Sequence, residues 1–168
     1  MLVRYVTNKL PLGYEPTIFE THNCTVKLDE KRYNVILADT SGQEYSDRMR
    51  SFSYSFALSN CFLVCFAVDS RASFENINHV WIKDVRKANR KASIILVGED
   101  RYSGTKSDLR NTFNETISKD EILKLVKQIK AHSYMECSAY TKDGVDDVFN
   151  EAVRVAAKKI DKSKCVIS

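Results

Sequence analysis

Apolar and polar positions fall into alternating strand-like and helix-like periods. Asn23 to Leu28 alternates as a half-exposed strand does, and Tyr33 to Ala38 follows it across Asp29-Glu30-Lys31. These predict an antiparallel hairpin whose return arm runs from Arg32 to Ala38. Cys61 to Asp69 is a continuous apolar run closed by an acid, as expected of a strand buried on both faces of a parallel sheet. Ile94 to Gly98 is a second such run, and Tyr134 to Cys137 a short last one. Helical periods lie between and after them. One opens at Ser73 and runs to Arg90. A second carries Ile122, Leu125, Val126 and Ile129, and a third Val145, Val148, Phe149, Ala152, Val153 and Ala156. Ser118-Lys119-Asp120-Glu121 spells a capping box ahead of the second. Met1 to Asn8 reads as the tail of a helix, stopped by Leu10-Pro11-Leu12-Gly13. Such alternation predicts an α/β domain with an open, mostly parallel sheet and one antiparallel hairpin.

The candidate chemistry gathers in Asp39-Thr40-Ser41-Gly42-Gln43-Glu44, directly after the hairpin's second arm. A carboxylate at the C-terminal end of a strand in an open α/β sheet sits where ligands bind. Gly42 lets the backbone approach a ligand closely. The Gln43 amide both donates and accepts, which suits orienting a water. An acid for a metal, a glycine for a phosphate and a glutamine for a water suit nucleoside triphosphate hydrolysis. A solvated turn with a capping acid is the plain alternative for any short stretch of this kind.

Composition narrows this only a little. With 168 residues, 43% apolar and 29% charged, the chain is one ordinary globular domain. A net charge of +4 does not argue for nucleic acid, and none is expected as a partner. Five cysteines without a C-x-x-C pair suit reduced cytosolic thiols better than a disulfide frame or zinc site. Cys61 and Cys65 are expected in the core rather than as reactive thiols. No apolar run is long enough to span a bilayer.

The hexapeptide at Asp39 resembles the Asp-Thr-Ala-Gly-Gln-Glu stretch of the Ras-superfamily small GTPases, with Ser41 for alanine. Tyr14 to Glu20 is similar to the first switch of the Rho/Rac type, and Tyr45 to Tyr54 to its second. Ser73 to Gly98, with Trp81, is also Rho-like, and Ser138-Ala139 matches the start of the Ser-Ala-Lys loop, Tyr140 replacing the lysine. The resemblance implies a P-loop NTPase-like fold over residues 1–160, followed by a basic tail at 161–168. It implies binding of GTP or GDP with Mg²⁺. Thr17 and Asp39 would hold the metal, Gln43 would be catalytic, and Tyr14 and Gly42 would lie against the phosphates. Thr105, Lys106 and Asp108 would read guanine with Ser138 and the Ala139 amide. Exchange factors, GTPase-activating proteins, effectors and a dissociation inhibitor are the implied partners, in cytoskeleton-type signalling.

Three departures qualify that picture. Glu99 to Gly104 intervenes before Thr105-Lys106-Ser107-Asp108, where the family runs on directly. The extra residues either loop out or displace Asp108 from the strand end. Leu10 stands where the family packs an aromatic on guanine. The largest departure is that no G-x-x-x-x-G-K-[ST] occurs anywhere, and the family's first, central strand is missing with it. Losing some five buried apolar side chains removes on the order of 10 kcal/mol. A whole domain has about 5–15 kcal/mol of stability. The expectation is a poorly folding chain or a gapped sheet.

Cys165-Val166-Ile167-Ser168 fits C-a-a-X, with Cys165 the prenylated residue and serine favouring farnesyl. Lysines before it would add attraction to an anionic leaflet, placing the chain on a cytoplasmic membrane face with a cytosolic pool. Two functions follow. One is a membrane-associated Rho-like GTPase that switches effector binding. The other is a lipidated, non-catalytic module that binds partners without nucleotide. An unrelated flavodoxin-like binder would explain the sheet but not the switch motifs.

Overall fold

A computed structural model describes residues 1–10, 19–40, 58–100 and 117–164. Their order is α1 (Leu2–Thr7), β1 (Phe19–Leu28), β2 (Lys31–Thr40), β3 (Cys61–Ala67), α2 (Arg71–Asn76), a π-helical turn (Ile77–Trp81), α3 (Ile82–Ala88), β4 (Ser93–Asp100), α4 (Lys119–Ile129), β5 (Ser133–Ser138) and α5 (Val145–Lys164).

The hairpin is longer than its alternation implies. Its ladder runs from Phe19 opposite Thr40 to Leu28 opposite Lys31, so Glu20 belongs to a strand rather than to a preceding loop. Asp29 and Glu30 close it with φ of 48° and 63°. Two consecutive left-handed residues give the turn whose twist matches paired strands. His22, Cys24 and Val26 face the body, as do Tyr33, Val35 and Leu37, while Asn23, Thr25, Asn34 and Ile36 face outward.

β3, β4 and β5 form a separate parallel sheet in that order. Ile95, Leu96 and Val97 of β4 are wholly buried, as befits its middle strand. One face of the sheet packs Val64, Phe66, Ile94 and Leu96 against Phe74, Ile77, Val85, Ile122, Leu125 and Ile129. The other packs Ile95, Val97 and Cys137 against Val145, Val148 and Phe149 of α5, with Met1, Leu2 and Tyr5 of the α1 region closing over them. Leu37 of β2 also packs against this second core, as do Cys61 and Leu63 of β3. Yet among the described residues no ladder joins β2 to β3.

One expectation is corrected on β3. β3 has the composition of a central strand but, among the described residues, ladders only with β4. Cys65, expected in the core, is exposed, while its neighbours Val64 and Phe66 are buried.

The long helix after β3 starts earlier than Ser73. Ser70 caps it by accepting the Ser73 N–H at 3.3 Å. The Ser73 hydroxyl accepts the Ala67 N–H at 3.1 Å and donates to the Ser70 carbonyl at 2.8 Å, pinning the helix to the end of β3. At Ile77–Trp81 the helix widens by one residue, and the Ile82 N–H bonds back to the Ile77 carbonyl. Sequence periodicity does not register such a single-turn insertion. The capping box at Ser118 and Glu121 is present in full.

Candidate functional site

Four strands end along one edge. β2 brings Asp39, β3 brings Cys65, β4 brings Glu99 and Asp100, and β5 brings Cys137 and Ser138. Electrostatics ties them together. The Cys65 thiol is pushed well above its ordinary range, chiefly by desolvation, then by Glu99, Cys137 and Asp39, with the Met1 amine opposing. That amine lies 3.3 Å from the Glu99 carboxylate, and the Met1 Sδ is 3.5 Å from the Cys137 Sγ. Asp39, half-buried, lies at the C-terminal end of β2 within electrostatic reach of Cys65, and Glu20 is its partner across the hairpin ladder.

The loop after β5 is shaped by its own polar groups. Ser138 is buried, and its N–H donates to the Asp143 carbonyl at 2.9 Å. Its hydroxyl accepts the Thr141 N–H at 3.4 Å, and Thr141 Oγ1 accepts the Asp143 N–H at 3.2 Å. Gly144, at φ 69°, then turns the chain into α5. These bonds fix the backbone around Ala139, which is half-buried, while Tyr140 is exposed. Among the described residues the Ala139 N–H makes no hydrogen bond.

Of the residues expected to bind nucleotide, Asp39, Ser138 and Ala139 are brought to this edge. Tyr14, Thr17, Gly42, Gln43, Thr105, Lys106, Asp108 and Cys165 lie outside the described residues. The donor set that is described fits its expected ligand. A carboxylate is a hard oxygen donor suited to Mg²⁺, and an amide N–H suits a base carbonyl. Among the described residues no group of three or more His, Cys, Asp or Glu could hold a metal ion, and Thr17, the other expected magnesium ligand, is not among them.

Glu99 and Asp100 are the residues that sequence reasoning misplaced. They read as the first members of an insertion, but β4 continues through both. Asp100 forms the last rung with Ser138, and each is 4% exposed. The available signal was the unbroken β-compatible run from Ser93, which an acidic pair does not have to end when a neighbouring strand supplies ladder partners.

Comparison with known proteins agrees with the geometry. The Ras family model matches residues 1–158. The Ras-like GTP-binding protein RhoL of Drosophila melanogaster is 39% identical over 160 residues, covering 95% of this chain and 80% of that protein. With the hairpin, the parallel sheet and the strand-end site in place, the match leaves one assignment: the chain belongs to the Ras family of small GTPases.

Proposed function

We propose that the chain is a Rho-type guanine-nucleotide switch that binds and hydrolyses GTP and works at a membrane surface. The observation that carries this reading is that Asp39 stands at the end of β2 and Ser138–Ala139 at the end of β5, a metal-suited carboxylate and a base-suited N–H each just past or at a strand's C-terminal end. The bound nucleotide and its Mg²⁺ supply the phosphoanhydride and the charge that balances it. The chain's residues would supply position: Asp39 and Thr17 would hold the cation, Gln43 would orient the attacking water, and Ala139 would offer its N–H to the base. Tyr14 to Glu20 and Gln43 to Tyr54 are the surfaces through which exchange factors, activating proteins and effectors would sense the nucleotide. The decisive measurement is a titration with fluorescent GDP in Mg²⁺ and in chelator, for wild type and Asp39→Ala. Magnesium-dependent binding that falls about tenfold or more in the variant, some 1.4 kcal/mol or above, is expected. No binding by the wild-type chain overturns the reading.

A second reading has an observation of its own. Among the described residues no ladder joins β2 to β3, and a hairpin held to the body by side chains alone suits a nucleotide-free binding module. Partner binding that is indifferent to removal of nucleotide and Mg²⁺ would select it.

A further inference from the structure

The sheet edge opposite the candidate site is strongly basic. β3, β4 and β5 begin there at Cys61, Ser93 and Ser133, and α3 and α4 end there at Ala88 and Ile129. The last carbonyls of a helix attract cations, which is reason enough for some basic side chains at this end. Arg86 serves in that way. Its Nη1 donates to the Arg90 carbonyl at 3.1 Å and to the Ala92 carbonyl at 2.9 Å, and its Nη2 to the Ile129 carbonyl at 3.3 Å. Those bonds gather Arg90, Lys91 and Lys130 around one guanidinium. Lys159 of α5 joins them by donating to the Lys91 carbonyl.

Helix ends account for Arg86 but not for the rest. Arg90, Lys91 and Lys130 are exposed. Among the described residues none of their side chains makes an ion pair or a hydrogen bond, and no carboxylate pairs with any of the five cations. Glu151, two turns before Lys159 on α5, is engaged by Arg154 instead. The Lys159 ammonium is held below its ordinary value, chiefly by burial, with Arg86 and Lys91 adding to the effect and Cys61 opposing it. Like charges that folding gathers and does not neutralise repel one another and raise the local potential for an anion. Two exposed apolar side chains border the group. Ile160, 40% exposed, follows Lys159, and Leu58, 75% exposed, precedes Ser59, whose carbonyl accepts from the Asn89 Nδ2 at 3.0 Å. Apolar groups beside uncompensated cations suit the boundary between headgroups and acyl chains better than they suit a wholly polar anion.

We propose that this edge faces an anionic bilayer, where Arg90, Lys91 and Lys130 take the phosphates and carboxylates of acidic lipid headgroups. The proposal rests on the membrane attachment proposed above and adds an orientation to it. The strands stand with their first residues toward the bilayer, and the ends that carry Asp39 and Ser138 point away from it. Arginine donates to phosphate oxygens in pairs. Each cation near an anionic leaflet strengthens binding about fivefold.

The test uses the full chain farnesylated at Cys165 and vesicles of phosphatidylcholine with or without phosphatidylserine, read by sedimentation. The variant Arg90→Gln/Lys91→Gln keeps the two backbone carbonyls that hold Arg86 and Lys159, so its urea midpoint should match that of the wild type. It is expected to bind phosphatidylserine vesicles about 30-fold more weakly, with binding to phosphatidylcholine unchanged. Lys119→Gln/Lys124→Gln removes the same charge from the first two turns of α4, away from Ile129, and should change neither. Equal losses in the two double variants would make the effect one of net charge and overturn the proposal. Unchanged binding by Arg90→Gln/Lys91→Gln overturns it while leaving the membrane reading intact. A wild-type chain that binds neither vesicle removes both. Binding to a DNA duplex that falls in Arg90→Gln/Lys91→Gln, with vesicle binding unchanged, would assign the edge to nucleic acid and likewise overturn it.

Discussion

The Gly144 α-carbon lies against the Glu136 carbonyl, so that a β-carbon at residue 144 would sit 2.5 Å from that oxygen. It would also lie 3.3 Å from the Cys137 α-carbon, and the backbone there has φ 69°. Steric and torsional costs therefore coincide at one position. Both obstacles are main-chain atoms, which cannot rotate away. Gly144→Ala is expected to destabilise the fold by about 1–3 kcal/mol. The strain falls on the Ser138–Gly144 loop, so the Ala139 amide should show the largest change in hydrogen exchange. A urea midpoint equal to that of the wild type would show that the loop relaxes freely.

The hairpin should open on its own. It joins the body through side chains, Leu37 in the second core and Arg154 Nε at 3.6 Å from the Asp29 carboxylate, with no ladder to β3 among the described residues. The ion pair is an exposed one and contributes about 0–1 kcal/mol. Backbone amides in β1 and β2 are thus expected to exchange faster than those of β4, whose strand is laddered on both sides. Leu37→Ala should cost roughly 1–3 kcal/mol, less than a fully buried leucine because the side chain is only partly covered. Its effect should be concentrated in hairpin amides. Uniform acceleration across β1, β2 and β4 would mean that the two sheets open as one unit.

What the sequence disclosed follows from which signals are local. The hairpin, three parallel strands and the capping box of α4 are written in short-range periodicity and in Ser118 and Glu121. The π-helical turn at Ile77–Trp81 was illegible because one extra residue in a helix leaves the apolar pattern almost unchanged. Glu99 and Asp100 were misread because their strand character comes from β5, through rungs with Cys137 and Ser138. Cys65 was assigned to a core on the strength of its own apolar run. Its exposure is a matter of what packs against β3, which no property of residues 61–67 encodes. At the site, Asp39 was legible as an acid ending a strand. The Ala139 amide was not, since a backbone donor carries no residue-specific mark and entered only through the family resemblance.

Acid should weaken the link between α2 and α4. Arg71 Nη1 donates to Glu121 Oε1 at 2.7 Å, and Arg71 Nη2 to Oε2 at 3.4 Å. The Glu121 carboxyl, ordinarily at 4.5, is lowered to about 2, first by the hydrogen bond from Arg71 and then by those from Ser118. A carboxyl with a depressed folded-state value binds fewer protons when folded than when unfolded. Its contribution is complete above the unfolded value and is lost as pH falls through the folded one. The stability advantage of wild type over Glu121→Gln should therefore hold at neutral pH and shrink between about pH 5 and about pH 2. Urea midpoints for both proteins across that range provide the measurement. A difference that stays constant with pH would mean that Glu121 acts through helix propensity rather than through its charge.

The membrane attachment proposed above depends on two signals that fail separately. Cys165 lies in a C-a-a-X ending, and Lys158, Lys159, Lys162 and Lys164 precede it, with α5 extending through Lys164. A single lipid chain holds a protein only marginally, and each lysine near an anionic leaflet adds about 1 kcal/mol. Lys159 has a further role: it donates to the Lys91 carbonyl, so it is a poor choice for replacement. Cys165→Ser should move the chain from the membrane fraction to the supernatant at any lipid composition. Replacing Lys162 and Lys164 by glutamine should weaken binding to vesicles containing phosphatidylserine while leaving neutral vesicles unaffected. Two charges at about 1 kcal/mol each predict a loss of roughly 30-fold, which raised salt should erase in the wild type. Cys165→Ser protein that still sediments with membranes would remove the lipid from the account and leave the basic helix end as the attachment.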